Sequence, residues 1–109
     1  AGMPVANRVE PGKRPRSSMA PMIVLRNGKP YMAIGAPGGP FIISFVAKTL
    51  LGVLGWGLDI QTAIELPNRG SCTYGTEIEK GTALEALAAP LEKMGHPAAR
   101  VWRWGVRPG

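Results

Sequence analysis

Apolar positions fall into short runs separated by Gly, Pro and Asn, and their spacing changes along the chain. Residues 22–26 and 31–34 are mostly apolar, partly β-branched runs on either side of Asn27-Gly28. That arrangement predicts a hairpin, because both central residues of a tight turn can take positive φ. Gly35-Ala36-Pro37-Gly38-Gly39-Pro40 then stops the second strand in a backbone-rich turn. Phe41, Ile42, Phe45, Val46, Thr49, Leu50 and Val53 stand in i, i+3 and i, i+4 relation, the signature of a buried helix face. Their β-branched and aromatic content also suits a strand; the length of the run favours helix. Pro40 fits a first turn, where its missing N–H costs nothing, and Gly52, Gly55 and Gly57 are expected to end the helix.

Asp59 is placed to cap a short helix through Leu66, with Ile60, Ala63 and Ile64 on its apolar side and Pro67 as its stop. Residues 72–74 and 77–79 read as short strands. Thr82 and Glu85 have capping-box spacing for a helix beginning at Ala83, striped by Leu84, Leu87, Ala88 and Leu91. Pro90 conflicts with that helix, at a cost of about 3 kcal/mol in an interior position. A kink or a restarted turn is therefore expected there. Gly95 is a natural stop, and residues 99–104 suit a last strand. The order loop, β, β, α, α, β, β, α, β defines an α+β chain.

Composition changes this picture in one respect. The chain has 109 residues, of which 45% are hydrophobic, so it is no charged disordered tail. Yet its 15 Gly and 11 Pro raise the entropic cost of ordering it and interrupt regular structure. Residues 1–18 form an irregular stretch long enough to suggest that other protein lies against it. The net charge of +6 is densest at Lys13-Arg14-Pro15-Arg16. Without finger spacing, an RNP motif or an aromatic ladder, it is a weak signal for nucleic acid. Cys72, the single cysteine, cannot form an internal disulfide or a metal-ligand set. The longest apolar stretch, residues 41–58, carries Lys48 and several glycines, and reads as buried in protein rather than inserted in a membrane.

Two short motifs could carry chemistry. Pro37-Gly38-Gly39-Pro40 precedes an apolar helix, so its backbone N–H groups could approach a ligand at a helix start that favours negative charge. The same sequence also serves as a plain tight connection; it has neither dinucleotide-fingerprint nor phosphate-loop spacing. Ser17 and Ser18, following Arg14-Pro15-Arg16, could donate to a carboxylate or simply satisfy the local backbone. His96 lies in a Gly-His-Pro turn, and chain order offers no Ser-His-Asp triad.

In combination these motifs are more specific. Arg14-Pro15-Arg16-Ser17-Ser18-Met19-Ala20-Pro21, Asn27-Gly28, Gly35-Ala36-Pro37-Gly38-Gly39, Asp59-Ile60-Gln61 and Pro67-Asn68-Arg69 occur in the order found in gamma-glutamyltransferases. The chain resembles the C-terminal part of that family's small subunit from about residue 7 to residue 105, with the Ser-Ser-Met-Ala-Pro and Pro-Gly-Gly motifs the most distinctive. The resemblance implies a fragment of the four-layer αββα sandwich of N-terminal-nucleophile hydrolases. It further implies transfer of a gamma-glutamyl group from glutathione or a related amide to water or an amino acid, through a threonyl acyl-enzyme.

By this resemblance Gly38 and Gly39 match the glycine pair whose backbone amides stabilise the oxyanion. Ser17 and Ser18 match the serines that hold the glutamyl α-carboxylate, and Met19 is expected to support their loop by packing. Arg14 and Arg16 are less firmly matched; Arg16 stands where the family more often has a smaller or apolar residue. Thr49, Thr62 and Thr82 do not occupy the nucleophile's motif, so the nucleophile is expected outside this chain. Residues 1–109 are accordingly expected to be a partial small-subunit domain, lacking the nucleophile-bearing segment and the extreme C-terminal segment, and inactive alone. Its implied partners are the remaining small-subunit segment and the large subunit of the same precursor. The resemblance implies no metal and no organic cofactor, and an extracytoplasmic location. Two other readings stay open: a related acylase acting on a different acyl group, and a non-catalytic structural or interaction remnant.

Overall fold

A computed structural model describes residues 4–72, 75–96 and 100–102. Strands β1 (Met22–Arg26) and β2 (Lys29–Ile34) pair antiparallel around Asn27 and Gly28, whose φ angles are 52° and 74°. These are the paired positive values that the Asn-Gly turn predicts. The register runs from Met22 opposite Ile34 to Arg26 opposite Lys29, with an irregularity between Val24 and Leu25. The Arg26 guanidinium lies 3.7 Å from the Tyr31 ring centroid. One face of this hairpin half-buries Val24, Met32 and Ile34; on the other, Ile23 is 72% and Leu25 60% exposed.

A 3₁₀ turn at Gly39–Phe41 leads into helix α1 (Ile42–Leu50), which continues as a π-helical segment, Leu51–Gly55. Gly52 therefore lies inside the helical run and does not stop it. A Cβ there would stand 2.8 Å from the Ala63 Cβ, so glycine allows this segment and the next helix to approach closely. The widened turn closes with Trp56 N–H donating to the Leu51 carbonyl at 3.0 Å, and the chain reverses at Gly57, φ 69°. Helix α2 (Ile60–Glu65) starts at Asp59, whose carboxylate accepts from Thr62 N–H at 3.1 Å, as the capping pattern predicts.

Strands β3 (Arg69–Cys72) and β4 (Gly75–Glu79) pair antiparallel; Thr73 and Tyr74, where the expected strand 72–74 continued, lie outside the described residues. β5 (Arg100–Trp102) pairs parallel with β4, and the expected positions 99, 103 and 104 also lie outside the described residues. The connection from β4 to β5 carries a 3₁₀ turn, Ala83–Leu87, followed by helix α3 (Ala88–Lys93). Thr82 caps the turn, while the Glu85 carboxylate accepts from Gly81 N–H. Because α3 restarts at Ala88, Pro90 falls in its first turn, and the expected conflict disappears.

The core is small. Phe41, Val46, Ala63 and Ile78 are its buried apolar side chains, with Thr49 beside them donating to the Phe45 carbonyl at 3.1 Å. Phe41 is a wedge: its ring stacks on Phe45 at 6.4 Å between centroids and presses on Gly70, where a Cβ would stand 2.1 Å from the ring. Ile60 and Ile64, expected on the apolar side of α2, are about half exposed, and Trp56 and Met94 more so. The Cα radius of gyration is 17.2 Å, whereas a compact chain of this length has about 13 Å. The α+β chain is therefore more open than a closed globule.

Candidate active site

The loop before β1 is held open as a strap. Asn7 clamps it across nine residues, with its side-chain oxygen accepting from Arg16 N–H at 2.7 Å and its amide donating to the Arg16 carbonyl at 3.2 Å. Glu10 joins Arg8 and Lys13 beneath the bend. This clamp fixes the peptide just ahead of the two serines. Ser17 Oγ accepts from Met19 N–H at 3.2 Å, a local serine turn that leaves its own proton available. Ser18 differs: its hydroxyl donates to the Gly39 carbonyl at 2.6 Å.

That contact brings the serine pair and the glycine pair together across 21 positions of sequence. Both glycines need their freedom, for separate reasons. Gly38 has φ 137°, and a Cβ there would stand 2.6 Å from the Phe45 ring; Gly39 has φ 55° and faces open space. The Gly38 carbonyl accepts from Phe41 N–H at 3.2 Å. In a trans peptide N–H and C=O point opposite ways, so this bond turns Gly39 N–H away from the helix. The Gly39 carbonyl is held by Ile42 N–H and by Ser18. Among the described residues neither Gly38 N–H nor Gly39 N–H has an acceptor. The result is a pair of unengaged donors before a nine-residue helix, at the end of its dipole that favours negative charge.

Arg16, Ser17, Ser18 and Pro40 line a shallow cleft of about 240 Å³ beside this turn. Arg14 is exposed and takes no part in it. Met19, expected to support the loop by packing, is 77% exposed among the described residues. His96 lies past α3 and lines a different groove with Arg69 and Leu91. Among the described residues no three His, Cys, Asp or Glu side chains are grouped to hold a metal, and no helix is long and apolar enough to cross a membrane.

A further anchor lies outside both motifs, toward the other end of α1. Lys48, on α1, donates to the carbonyls of Ile64 at 2.7 Å and Leu66 at 2.6 Å and to the Asn68 side chain at 3.0 Å. Those carbonyls belong to the end of α2, where intrahelical partners run out. Asn68 is itself pinned to Glu79 on β4: its N–H donates to the Glu79 carboxylate at 2.7 Å, and its carbonyl accepts from Glu79 N–H at 3.0 Å. Burial lowers the Lys48 pKa from its usual 10.5, and the Glu79 carboxylate opposes that shift. The available signal was a lone charge inside an 18-residue apolar run.

The fold, the open amide pair and the adjoining serines agree with membership in a class of acyl-transferring N-terminal-nucleophile hydrolases. The Gamma-glutamyltranspeptidase family model matches residues 2–106, and the chain belongs to that family. It is 38% identical over 92 residues to the glutathione hydrolase proenzyme of Bacillus subtilis strain 168, covering 84% of this chain and 16% of that protein. It is 42% identical over 96 residues to the Escherichia coli K12 glutathione hydrolase proenzyme, covering 86% of this chain and again 16% of the relative. The chain thus spans about one-sixth of the length of these relatives. In three dimensions it resembles the T380A mutant of Helicobacter pylori gamma-glutamyltranspeptidase with a TM-score of 0.73 and 33% identity, covering 93% of this chain and 54% of that one. The expected family and α+β fold class are borne out.

Proposed function

We propose that this chain supplies the oxyanion amides and part of the carboxylate site of an enzyme that moves a gamma-glutamyl group from glutathione or a related amide to water or an amino acid. The observation that carries this reading is the convergence of the two family motifs, with the Ser18 hydroxyl 2.6 Å from the Gly39 carbonyl and the glycine N–H groups unengaged among the described residues.

In this reading a threonine supplied outside these 109 residues attacks the gamma-carbonyl carbon. Its hydroxyl proton passes to a base, and the carbonyl oxygen becomes an oxyanion. Gly38 and Gly39 N–H donate to that oxygen, and each such donor is worth about 3 kcal/mol in the transition state. Collapse expels the amine, which takes a proton, and leaves a gamma-glutamyl ester on the threonine. Water or an amino acid then attacks the ester and releases the threonine, so two easier steps replace one difficult displacement. The Ser17 hydroxyl, free to donate, and the Arg16 guanidinium face the α-carboxylate of the glutamyl group. Ser18 ties that subsite to the oxyanion turn.

The remaining segments of the same precursor complete this site and cover the apolar surface. Ile23, Leu25, Leu51 and Trp56 are each more than half exposed. Burying a large apolar side chain is worth about 1.5–3 kcal/mol, so the isolated chain has much to gain from a partner. Mass spectrometry of the assembled enzyme after a gamma-glutamyl affinity reagent tests the chemistry. A single glutamyl-sized adduct on a threonine is expected; no adduct, or equal turnover of gamma-glutamyl and glutaryl anilides, contradicts it. Size-exclusion chromatography tests the assembly: a stable, folded monomer of these residues alone contradicts it.

A further inference from the structure

We propose that Lys48 is a positioning residue for the oxyanion amides, fixing the tilt and axial register of helix α1 through its three hydrogen bonds to the end of α2 and to Asn68. The proposal rests on the gamma-glutamyl transfer reading above and adds to it a residue outside the serine and glycine motifs.

The geometry has three parts. First, α1 is the continuation of the Gly38-Gly39 turn. The Gly38 carbonyl accepts from Phe41 N–H, and the Gly39 carbonyl from Ile42 N–H, so the amide directions follow the helix. Second, Lys48 stands nine residues beyond Gly39, about 14 Å along a helical path. A rotation of about 4° about that point moves the turn by about 1 Å, and a misplacement of that size can cost about 10²-fold in rate.

Third, Lys48 adds directional bonds to the packing contacts of α1. Val46 and Thr49 are buried on it, and its π-helical extension meets Ala63 at Gly52. The hydrophobic attraction that buries them is non-directional. Lys48 supplies direction. Its ammonium has three donors, and Ile64, Leu66 and Asn68 take all three. A cation also suits the carbonyl end of α2. Asn68 does not yield, because its N–H and C=O are both tied to Glu79. Lys48 thus joins α1 to both α2 and the β3–β4 sheet, opposite the end of the helix where donors are left open.

The test compares wild type, Lys48→Met and Lys48→Arg in the assembled enzyme, with active sites counted by acyl burst. Methionine keeps the apolar stem and removes the donors, whereas arginine keeps charge and donors in a different fork. Lys48→Met is expected to lower kcat per active site about tenfold, with KM within about twofold. It should weaken a tetrahedral gamma-phosphonate analogue about tenfold while leaving glutamate affinity within about twofold. Lys48→Arg should recover part of both losses. A lower melting temperature with unchanged kcat per site and unchanged phosphonate affinity assigns Lys48 a purely structural role and overturns the proposal. Equal weakening of phosphonate and glutamate overturns it as well. A wild-type assembly that forms no gamma-glutamyl adduct removes the underlying reading and the proposal together, an outcome distinct from an active wild type with an unaffected variant.

Discussion

The two ends of helix α1 are built in opposite ways. At the N-terminal end the carbonyls of Gly38 and Gly39 are engaged, while their N–H groups have no acceptor among the described residues. Near the C-terminal end Lys48 has every donor engaged. Unengaged donors on a turn held by its own carbonyls suit the binding of a transient anion. Saturated donors on a partly buried cation suit the fixing of one element against two others. On the proposed reading the same helix carries a place for chemistry and, two to three turns away, the fastening that holds it.

Substitution of Gly38 should disturb this arrangement most. Gly38→Ala forces a Cβ to 2.6 Å from the Phe45 ring at φ 137°, so the turn must move and the proposed oxyanion donors with it. A fall in kcat of about 10²-fold or more is expected in the assembled enzyme, the size of losing one such donor. Ser18→Ala comes next. It removes one of two bonds to the Gly39 carbonyl, and a net hydrogen bond of about 1 kcal/mol corresponds to roughly a fivefold loss, seen mainly in kcat. Ser17→Ala should instead raise KM, since that hydroxyl has its proton free; the opposite split would exchange the roles given to the two serines.

Gly39→Ala sharpens the contrast within the glycine pair. Open space surrounds its Cβ position, so only the left-handed conformation opposes the change, by about 1–2 kcal/mol. Stability should fall by that amount in thermal melts, with less loss of rate than Gly38→Ala produces. The smallest effect concerns the cap of α2, away from both ends. Hydrogen bonding from the Thr62 side chain, then from its backbone N–H, lowers the Asp59 pKa below the usual 3.8. Its contribution is complete above 3.8 and is lost as pH falls through the folded value, so a small loss of stability is expected below about pH 4 that Asp59→Ala abolishes.

Local chemistry made the fold largely legible in the sequence. Asn27-Gly28 specified the hairpin, Asp59 the start of α2 and Thr82 the turn that precedes α3, because each acts through neighbours a few residues away. Long-range features were hidden for the corresponding reason. Gly52 reads as a helix stop until Ala63 lies against it, and Pro90 reads as a break until the helix restarts at Ala88. The parallel pairing of β4 with β5 depends on a crossover that no local pattern specifies. For the proposed site, the motifs pointed to Ser17, Ser18, Gly38 and Gly39. Their convergence through a bond across 21 positions, and the Lys48 fastening across 16 to 20, emerge only from the fold.

The central claim is that Gly38 and Gly39 N–H groups receive the oxyanion. Its most direct test is the nitrogen–proton spectrum of the ¹⁵N-glycine-labelled assembled enzyme with a tetrahedral gamma-phosphonate analogue. Large downfield shifts of both amide protons on binding are expected, with glutamate alone producing much smaller ones. Binding of the phosphonate with both resonances unmoved would contradict the account.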